Sequence, residues 1–366
     1  MEINNGKSKA LIFKAKQEER ATKEIEGIEV VKSLRYLGLE ICNEIDIFRL
    51  QKEKMIEELR ILANRTYSAT ENSFNRILIG KLWWKSLALP KALFGLGVMT
   101  MNTEQIEEMQ VIENKVYRTI MRARELTAMT AVRGEIGAST MKSRVRESTI
   151  LLAKSILEGN NELVREILQR ATEGTCTNWG KKLKIFLKEV RMNFNDLEEM
   201  EKKHIRKRIR EVDTEEWKKE MGGQSTMKMY MQWKKEIREE GIYDNRESSI
   251  YLFKARANAL EVNSRIHFLR GGDRKCELCG NKEENLVHFL MECEHLKEER
   301  RSSLIEEYKG ETSKDTVGNL LFKTKRGDVE ELKEMIQKMW KRREKGIEEL
   351  EQKEVQKIGK EVTRVE

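Results

Sequence analysis

Apolar and polar residues follow two different periodicities along the chain. Up to residue 42, Lys9–Phe13 is a short apolar run, and Ile25–Val31 and Leu34–Ile41 alternate apolar with other residues. A period of two is typical of half-buried strands, so we expect a small N-terminal β unit of three short strands at most in residues 1–42. Three short strands with one apolar face need another element to pack against.

From Asn43 onward, apolar residues recur at helical spacing, as Met55, Leu59 and Leu62 do. Such stripes predict amphipathic helices over most of the remaining chain. The pattern therefore predicts a mainly α protein with a helical bundle in residues 43–125 and a helical connector in 126–262. A small module in 263–300 and a charged tail in 301–366, with one long helix, complete the chain.

Composition supports helices over sheets. Of the 366 residues, 37% are charged, 39% are hydrophobic and only Pro90 is a proline, whereas sheet proteins need more turns and more β-branched and aromatic residues.

Five cysteines do not make a disulfide framework in a chain this long. Because the sequence has neither a run of about 18 apolar residues nor a signal-peptide core, we expect an intracellular protein, in the nucleus or cytoplasm, without a membrane partner.

The strongest chemical signal is a group of four metal-ligand residues near the start of the last quarter. Cys276 and Cys279 form a Cys-x-x-Cys pair, His288 follows after eight residues, and Cys293 follows after four more. Thiolates and a neutral imidazole are the ligands that Zn²⁺ prefers, and four of them close a structural site. The spacing therefore predicts a structural zinc bound by these four residues, with Gly280 in a turn that often needs a positive φ.

Two alternatives to this ligand set remain open. The cysteines could simply be buried, with His288 a hydrogen-bonded core histidine. His295, two residues beyond Cys293, could also replace Cys293 as the fourth ligand, although thiolate binds zinc more strongly at this kind of site.

Basic residues are the second signal. The net charge is +8 and the pI is about 9.0, which weakly favours a polyanion as partner. The candidates for nucleic-acid contact are Arg256, Arg265, Arg270, Arg274, Lys202, Lys203, Arg206, Lys207, Lys81 and Lys85. The four arginines adjoin the predicted metal site. Lys81 and Lys85 bracket tryptophans, which could instead be core residues. Glutamates flank the cluster from Lys202 to Lys207, which could equally be a solvated helix face with ion pairs.

Three landmarks carry a resemblance to a known family. The segment Asn4–Phe13 reads Asn-x-x-Lys-Ser-Lys-x-x-x-Phe, Tyr36-Leu37-Gly38 lies between apolar residues, and the Cys-Cys-His-Cys group follows much later. Together, in this order, they resemble the carboxyl-terminal half of reverse transcriptases of non-LTR (LINE-type) retrotransposons. The resemblance spans about Asn4 to Arg300. It implies a palm edge with a primer-grip-like hairpin at Tyr36, Leu37 and Gly38, then a thumb in 43–125, a connector and a zinc knuckle.

The chain departs from that family at the catalytic site. Reverse transcriptases hold two metal ions with aspartates, two of them adjacent in one loop, and such an ion pair stabilises the reacting oxygens. This sequence has seven aspartates and no two of them are adjacent. We therefore expect the chain to lack polymerase activity on its own.

These observations lead to one functional expectation and two alternatives. The expectation is a nucleic-acid-binding carboxyl-terminal fragment of a retrotransposon reverse transcriptase, with RNA or DNA as partner, structural zinc as cofactor and no small-molecule substrate. One alternative is a helical protein-interaction module stapled by zinc, in which the C-terminal helix could pair with a partner helix. The other is the carboxyl-terminal part of an intact reverse transcriptase that gene prediction has truncated.

Overall fold

As predicted, the chain folds as a mainly α protein, and within the residues that the structure describes its strands lie only near the N-terminus. The computed structural model describes residues 8–13, 23–71, 73–173, 177–270, 272–300, 303–306 and 313–362. Within these ranges the α-helices are α1 (Arg49–Glu71), α2 (Arg76–Leu82), α3 (Leu89–Ala92), α4 (Thr103–Met121), α5 (Met129–Ile136), α6 (Met141–Glu158), α7 (Glu162–Thr172), α8 (Asn178–Glu189), α9 (Phe194–Glu199), α10 (Lys202–Gly222), α11 (Lys228–Trp233), α12 (Glu247–Arg256), α13 (Asn263–Arg270), α14 (Ser303–Glu306), α15 (Lys314–Lys323) and α16 (Val329–Val362).

Among the described residues of the β region there are five very short strands rather than three. They are β1 (Lys9–Ala10), β2 (Glu24–Ile25), β3 (Ile28–Val30), β4 (Ser33–Tyr36) and β5 (Leu39–Cys42). β3 pairs in parallel with β1 and antiparallel with β2, and β4 and β5 form a separate hairpin. The expected count was wrong because two turns, Glu26-Gly27 and Leu37-Gly38, split two of the predicted strands into hairpins. All four turn residues have positive φ, as a type I′ turn requires.

The first sequence landmark can be placed only in part, because the segment that begins at Asn4 lies among the described residues only from Ser8 onward. Pro90 lies in α3, which follows directly on a π-helix at Trp83–Ala88.

The chain divides into two compact units, each built from three separate segments. The first contains Met1–Ser68, Leu82–Asn114 and Ser139–Asp213, and the second contains Ala69–Lys81, Lys115–Ala138 and Thr214–Glu366. The predicted metal ligands all belong to the second unit. The sequence predicted five consecutive segments, whereas each of these compact units combines segments that are separated along the chain.

The first unit is organised around α6. This helix packs against α7, α8, α9 and the 3-10 turn at Leu96–Val98. Its polar interior is formed by paired groups: fully buried Arg146 lies 3.1 Å from Glu189, and Trp84 donates a hydrogen bond of 3.3 Å from Nε1 to buried Glu113. Paired burial of this kind avoids the cost of an isolated charge.

The second unit is organised around the contact between α12 and the long helix α16. Buried Glu135 accepts hydrogen bonds from the hydroxyls of Tyr230 (2.9 Å) and Tyr243 (2.5 Å) and from Nη2 of Arg256 (3.2 Å). Burial and the Glu135 carboxylate raise the pKa of both tyrosines well above the ordinary value. Throughout the described ranges, no helix is both long and apolar enough to cross a membrane.

Candidate metal centre

The Cys-Cys half of the site is a tight turn closed by backbone hydrogen bonds. The Gly280 N–H donates to the Cys276 carbonyl (2.7 Å), and Gly280 has the positive φ of 68° that the sequence predicted. The Cys276 N–H donates to the Lys282 carbonyl at 2.8 Å, and Lys275 forms an isolated antiparallel bridge with Glu283. The turn thus holds two thiols on one side of a small hairpin-like loop.

The His-Cys half is a single π-helical turn, His288–Glu292. The Cys293 N–H donates to the His288 carbonyl at 2.9 Å, which is the i to i+5 bond of a π-helix. In an α-helix, residues five apart are rotated by about 140° around the axis, because each residue turns by about 100°. The wider π turn brings His288 and Cys293 to one side. Asn285 begins the turn by accepting from the His288 N–H at 2.9 Å.

The four side chains converge as a tetrahedral site requires. Their ligand atoms all lie within 4.8 Å of one another, with 3.9 Å between the sulfurs of Cys276 and Cys293 and 3.5 Å between Cys279 Sγ and His288 Nε2. Tetrahedral zinc with Zn–S of about 2.3 Å and Zn–N of about 2.0–2.1 Å implies S···S near 3.8 Å and S···N near 3.6 Å. The four residues therefore form a group that could hold a metal ion, and their ligand types and spacing are those that zinc prefers.

The thiols are coupled to each other and to the imidazole. The contact with Cys293, together with burial, raises the pKa of the Cys276 thiol to about 12, and the same contact lowers the pKa of Cys293. Contact with Cys276 raises the pKa of His288, although burial opposes its charge. Without a metal the site therefore holds protons that a bound cation would displace.

The competing ligand assignments are now distinguished by position. Cys293 is buried inside the cluster, whereas His295 is exposed and lies outside it. Cys42 is far from these ligands in the sequence and is buried, with its Sγ 3.4 Å from the Asp46 carbonyl oxygen. Cys176 lies outside the described residues.

A buried ion pair lies directly behind Cys276. The Glu284 carboxylate is 3.9 Å from the Cys276 sulfur and receives two hydrogen bonds from Arg343 of α16, from Nε (2.5 Å) and from Nη2 (2.7 Å). Glu284 is 1% exposed and Arg343 is 2% exposed. Glu284 also accepts from the Asn263 N–H at 2.7 Å. Groups in this second layer commonly orient metal ligands and tune their basicity.

The segment from Cys276 to Cys293, called the metal module below, also packs against α16 through apolar contacts. A Cβ on Gly346 would lie 2.6 Å from Leu278 Cδ2, so a larger residue here would require the Leu278 side chain to move. Trp340 meets Phe289 of the π turn edge-on, with ring centroids 5.7 Å apart. The module is therefore held by a helix that begins more than thirty residues beyond Cys293, and is not an independent knuckle.

The arginines next to the metal site occupy different environments. Arg256 is 4% exposed and is hydrogen-bonded to Glu135 and to the Leu321 carbonyl, so a phosphate contact would require the loss of a buried ion pair, contrary to its expected role. Arg274 is exposed and lies 3.4 Å from Glu283. Arg265 is half-buried, and the side chain of Arg270 lies outside the described residues.

The other basic candidates are mostly paired. Lys202, Lys203 and Arg206 lie 2.7, 2.9 and 3.2 Å from glutamate oxygens, which fits a solvated face of α10 with ion pairs, and Lys207 is exposed. Lys81 is buried and pairs with Glu239, and its contact with phosphate stays a prediction. Lys85 is half-buried. Trp84 is a core residue, in agreement with the alternative interpretation of the tryptophans.

The primer-grip-like residues form the tip of the β4–β5 hairpin. Tyr36 ends β4, and Leu37 and Gly38 form the turn, where Leu37 has a φ of 47° and is 79% exposed. A Cβ on Gly38 would approach the Phe94 ring to 3.1 Å. The tip is therefore an exposed apolar hairpin supported by one aromatic side chain.

Sequence reasoning missed Glu284 and Arg343. Neither has a local signal, because a buried ion pair between residues 59 positions apart cannot be seen in spacing. Comparison with known proteins adds no assignment, since no protein-family model, no curated protein and no solved structure matches this chain.

Proposed function

We propose that this protein is a nucleic-acid-binding module whose interface is built on a structural zinc site formed by Cys276, Cys279, His288 and Cys293. The observation that carries the proposal is the convergence of these four ligand atoms within 4.8 Å of one another. Such a site organises a short segment that could not bury enough apolar surface to fold by itself.

Cations around the turn supply the charge for phosphate. Arg274, Lys275 and Lys282 are exposed, and among the described residues they pair with Glu283, Asp273 and the half-buried Glu292, at 3.4, 3.6 and 3.2 Å. Exposed pairs of this kind contribute about 0–1 kcal/mol each, so phosphate can replace the acid at little cost. The net charge of +8 favours the same kind of partner.

We further propose that the chain corresponds to the carboxyl-terminal part of a non-LTR reverse transcriptase and has no polymerase activity alone. Support comes from the order of three sequence landmarks and from the absence of adjacent aspartates in the sequence. In this proposal the Tyr36–Gly38 hairpin corresponds to the palm edge and the helices after it to the thumb.

The test of nucleic-acid binding is its salt dependence. A labelled single-stranded RNA and the matching DNA are titrated with the zinc-loaded chain between about 50 and 300 mM salt, and log K should fall linearly with log salt, by about 0.7 per phosphate contact. Replacing Arg274 and Lys275 by Met should reduce the slope by roughly 1.4. The control replaces Lys338 and Lys345, exposed lysines of α16. No binding, or binding without a salt slope, would overturn the proposal.

A second candidate function, protein interaction, is favoured by α7. Its apolar residues Leu163, Val164 and Ile167 are 64%, 37% and 55% exposed, although Leu168 of the same helix is buried. Apolar contacts do not weaken with salt as phosphate contacts do. A partner that is retained at high salt and lost on Leu163→Glu with Ile167→Glu would favour this function over nucleic-acid binding.

A further inference from the structure

A groove of about 720 Å³ lies in the first unit, where α7, α8 and α9 meet. α7 and α8 pack against each other, and a Cβ on Gly180 of α8 would overlap the Ala171 carbonyl oxygen of α7. This close backbone contact fixes the two helices, which supply two walls of the groove. Its volume is within the roughly 300–1,000 Å³ of ligand-binding clefts.

Three cations that line the groove have no acidic partner. Arg165 of α7 and Lys184 and Lys188 of α8 are exposed, and across the described ranges none of them forms an ion pair. Arg170 of α7, by contrast, lies 2.5 Å from Glu166. A concave surface with unpaired cations attracts an anionic ligand.

The lysines form a row on one face of α8. Lys181 is exposed and precedes Lys184 and Lys188 by three and seven residues. The three side chains therefore share a face, at intervals of about 4.5 and 6 Å along the helix axis. Positive charge repeated at this spacing complements a phosphate backbone, whose negative charge also repeats.

The wall of the groove is apolar and includes an aromatic ring. Leu187 and Met192 are 3% and 7% exposed, and Phe194 of α9 is half-buried. Proteins that bind single strands combine a positively charged groove with aromatic side chains on which bases stack. This groove has both parts.

Two acids distinguish such a ligand from an acidic peptide. Glu173 and Glu198 also line the groove, and both are exposed. Carboxylates accept hydrogen bonds from the N–H groups of bases, but they repel the side chains of an acidic peptide. The lining therefore favours a single-stranded nucleic acid, whose negative charge is confined to its backbone.

We propose that this groove binds a stretch of single-stranded nucleic acid, with Arg165, Lys184 and Lys188 on the phosphates and the bases against Phe194. The inference goes beyond the proposed function, because the groove belongs to the first unit and needs no zinc. It adds a second contact surface to that of the metal module.

The test uses the full chain with a labelled uridine oligonucleotide, and binding is followed by fluorescence anisotropy between about 50 and 300 mM salt. The groove variant combines Arg165→Met, Lys184→Met and Lys188→Met. It should lower the slope of log K against log salt by about 2, since each phosphate contact contributes about 0.7. The same reduction is expected in the Cys276→Ser background, because the groove does not depend on the metal.

The control replaces the same number of charges elsewhere. Arg170→Met, Lys218→Met and Lys219→Met change exposed cations that do not line the groove, and they lower the net charge by the same amount. This control variant should keep the slope of the unchanged chain. Equal slopes in the groove variant and the control variant would overturn the groove as a binding surface.

Phe194→Leu separates stacking from charge. It keeps an apolar side chain and removes the ring, so affinity for the uridine oligonucleotide should fall about fivefold or more at an unchanged salt slope. Affinity for a backbone of the same length without bases should not change. No loss, or an equal loss with both probes, would overturn the base contact. All variants must retain helical circular dichroism, and if Phe194→Leu does not, the groove variant still decides.

The remaining outcomes separate the groove from the metal module. A slope lowered by Arg274→Met with Lys275→Met, but not by the groove variant, would leave only the zinc-dependent function. A slope lowered by the groove variant alone would retain the groove and overturn the proposed function. Binding of a peptide of alternating Glu and Leu in place of the oligonucleotide, lost in the groove variant, would overturn nucleic acid as the ligand.

Discussion

Replacement of Arg343 by Met should weaken both the metal site and the attachment of α16. The change removes two hydrogen bonds, of 2.5 and 2.7 Å, to the Glu284 carboxylate, which is buried 3.9 Å from the Cys276 sulfur. A buried carboxylate that loses its partner costs about 3–5 kcal/mol. The uncompensated charge would also repel the Cys276 thiolate, and loss of a second-layer partner typically reduces metal affinity about 10–100-fold.

Two readouts test this expectation. Competition with a chromophoric chelator should give a zinc affinity about 10–100-fold below that of the unchanged chain. Hydrogen exchange read by mass spectrometry should show amide protection in the first half of α16 reduced by at least about a hundredfold, which corresponds to roughly 3 kcal/mol of local opening free energy. Local readouts are needed because a chain of two units need not unfold in one step.

The neighbouring residue provides the control. Arg342 also lies on α16 but is 38% exposed in its side chain and pairs with Glu299 and Glu349 at 3.8 and 3.7 Å, contacts worth about 0–1 kcal/mol. Arg342→Met should change neither readout. In the double variant Glu284→Gln with Arg343→Met, the amide oxygen can still accept from Asn263, so part of the loss should be recovered. Equal zinc affinity and protection in Arg343→Met and Arg342→Met would refute the coupling.

Three further outcomes are expected. Cys276→Ser should abolish zinc binding and reduce hydrogen-exchange protection in residues 272–300 and in α16, while α6 stays protected. Cys42→Ser should leave the stoichiometry at one zinc. Loss of protection in α6 would contradict the local role of the metal. Apparent zinc affinity should fall at least about tenfold per pH unit between about pH 8 and pH 6, because the Cys276 thiol, with a pKa of about 12, must lose its proton on binding; chelator competition showing no pH dependence would argue against thiolate ligands. With Mg²⁺ or Mn²⁺ and any primed template, the chain should add no nucleotides above a blank, and template-dependent extension would overturn the proposed loss of activity.

Local pattern was enough to predict the helices and the convergence of the Cys276, Cys279, His288 and Cys293 side chains. A period of 3.6 identifies helical faces such as that of α1, and the Cys-x-x-Cys spacing identifies a turn that can present two sulfurs to one ion. Both signals lie within a few turns of the chain, so they do not depend on the tertiary structure.

Position in three dimensions could not be predicted in the same way. Arg256 and Arg274 are equivalent in a linear charge pattern, yet one is buried against Glu135 and the other is exposed. The π turn at His288 depends on a hydrogen bond from Cys293, which composition does not specify. Arg343 reaches Glu284 only because α16 packs back on the module.

The zinc content and ligand shell of the purified chain decide whether Cys276, Cys279, His288 and Cys293 bind zinc. Elemental analysis of protein prepared without chelator should find one zinc per chain, and X-ray absorption should show three sulfur ligands at about 2.3 Å and one nitrogen at about 2.0–2.1 Å. Absence of zinc, or a shell with two nitrogens and two sulfurs, would contradict a site formed by Cys276, Cys279, His288 and Cys293.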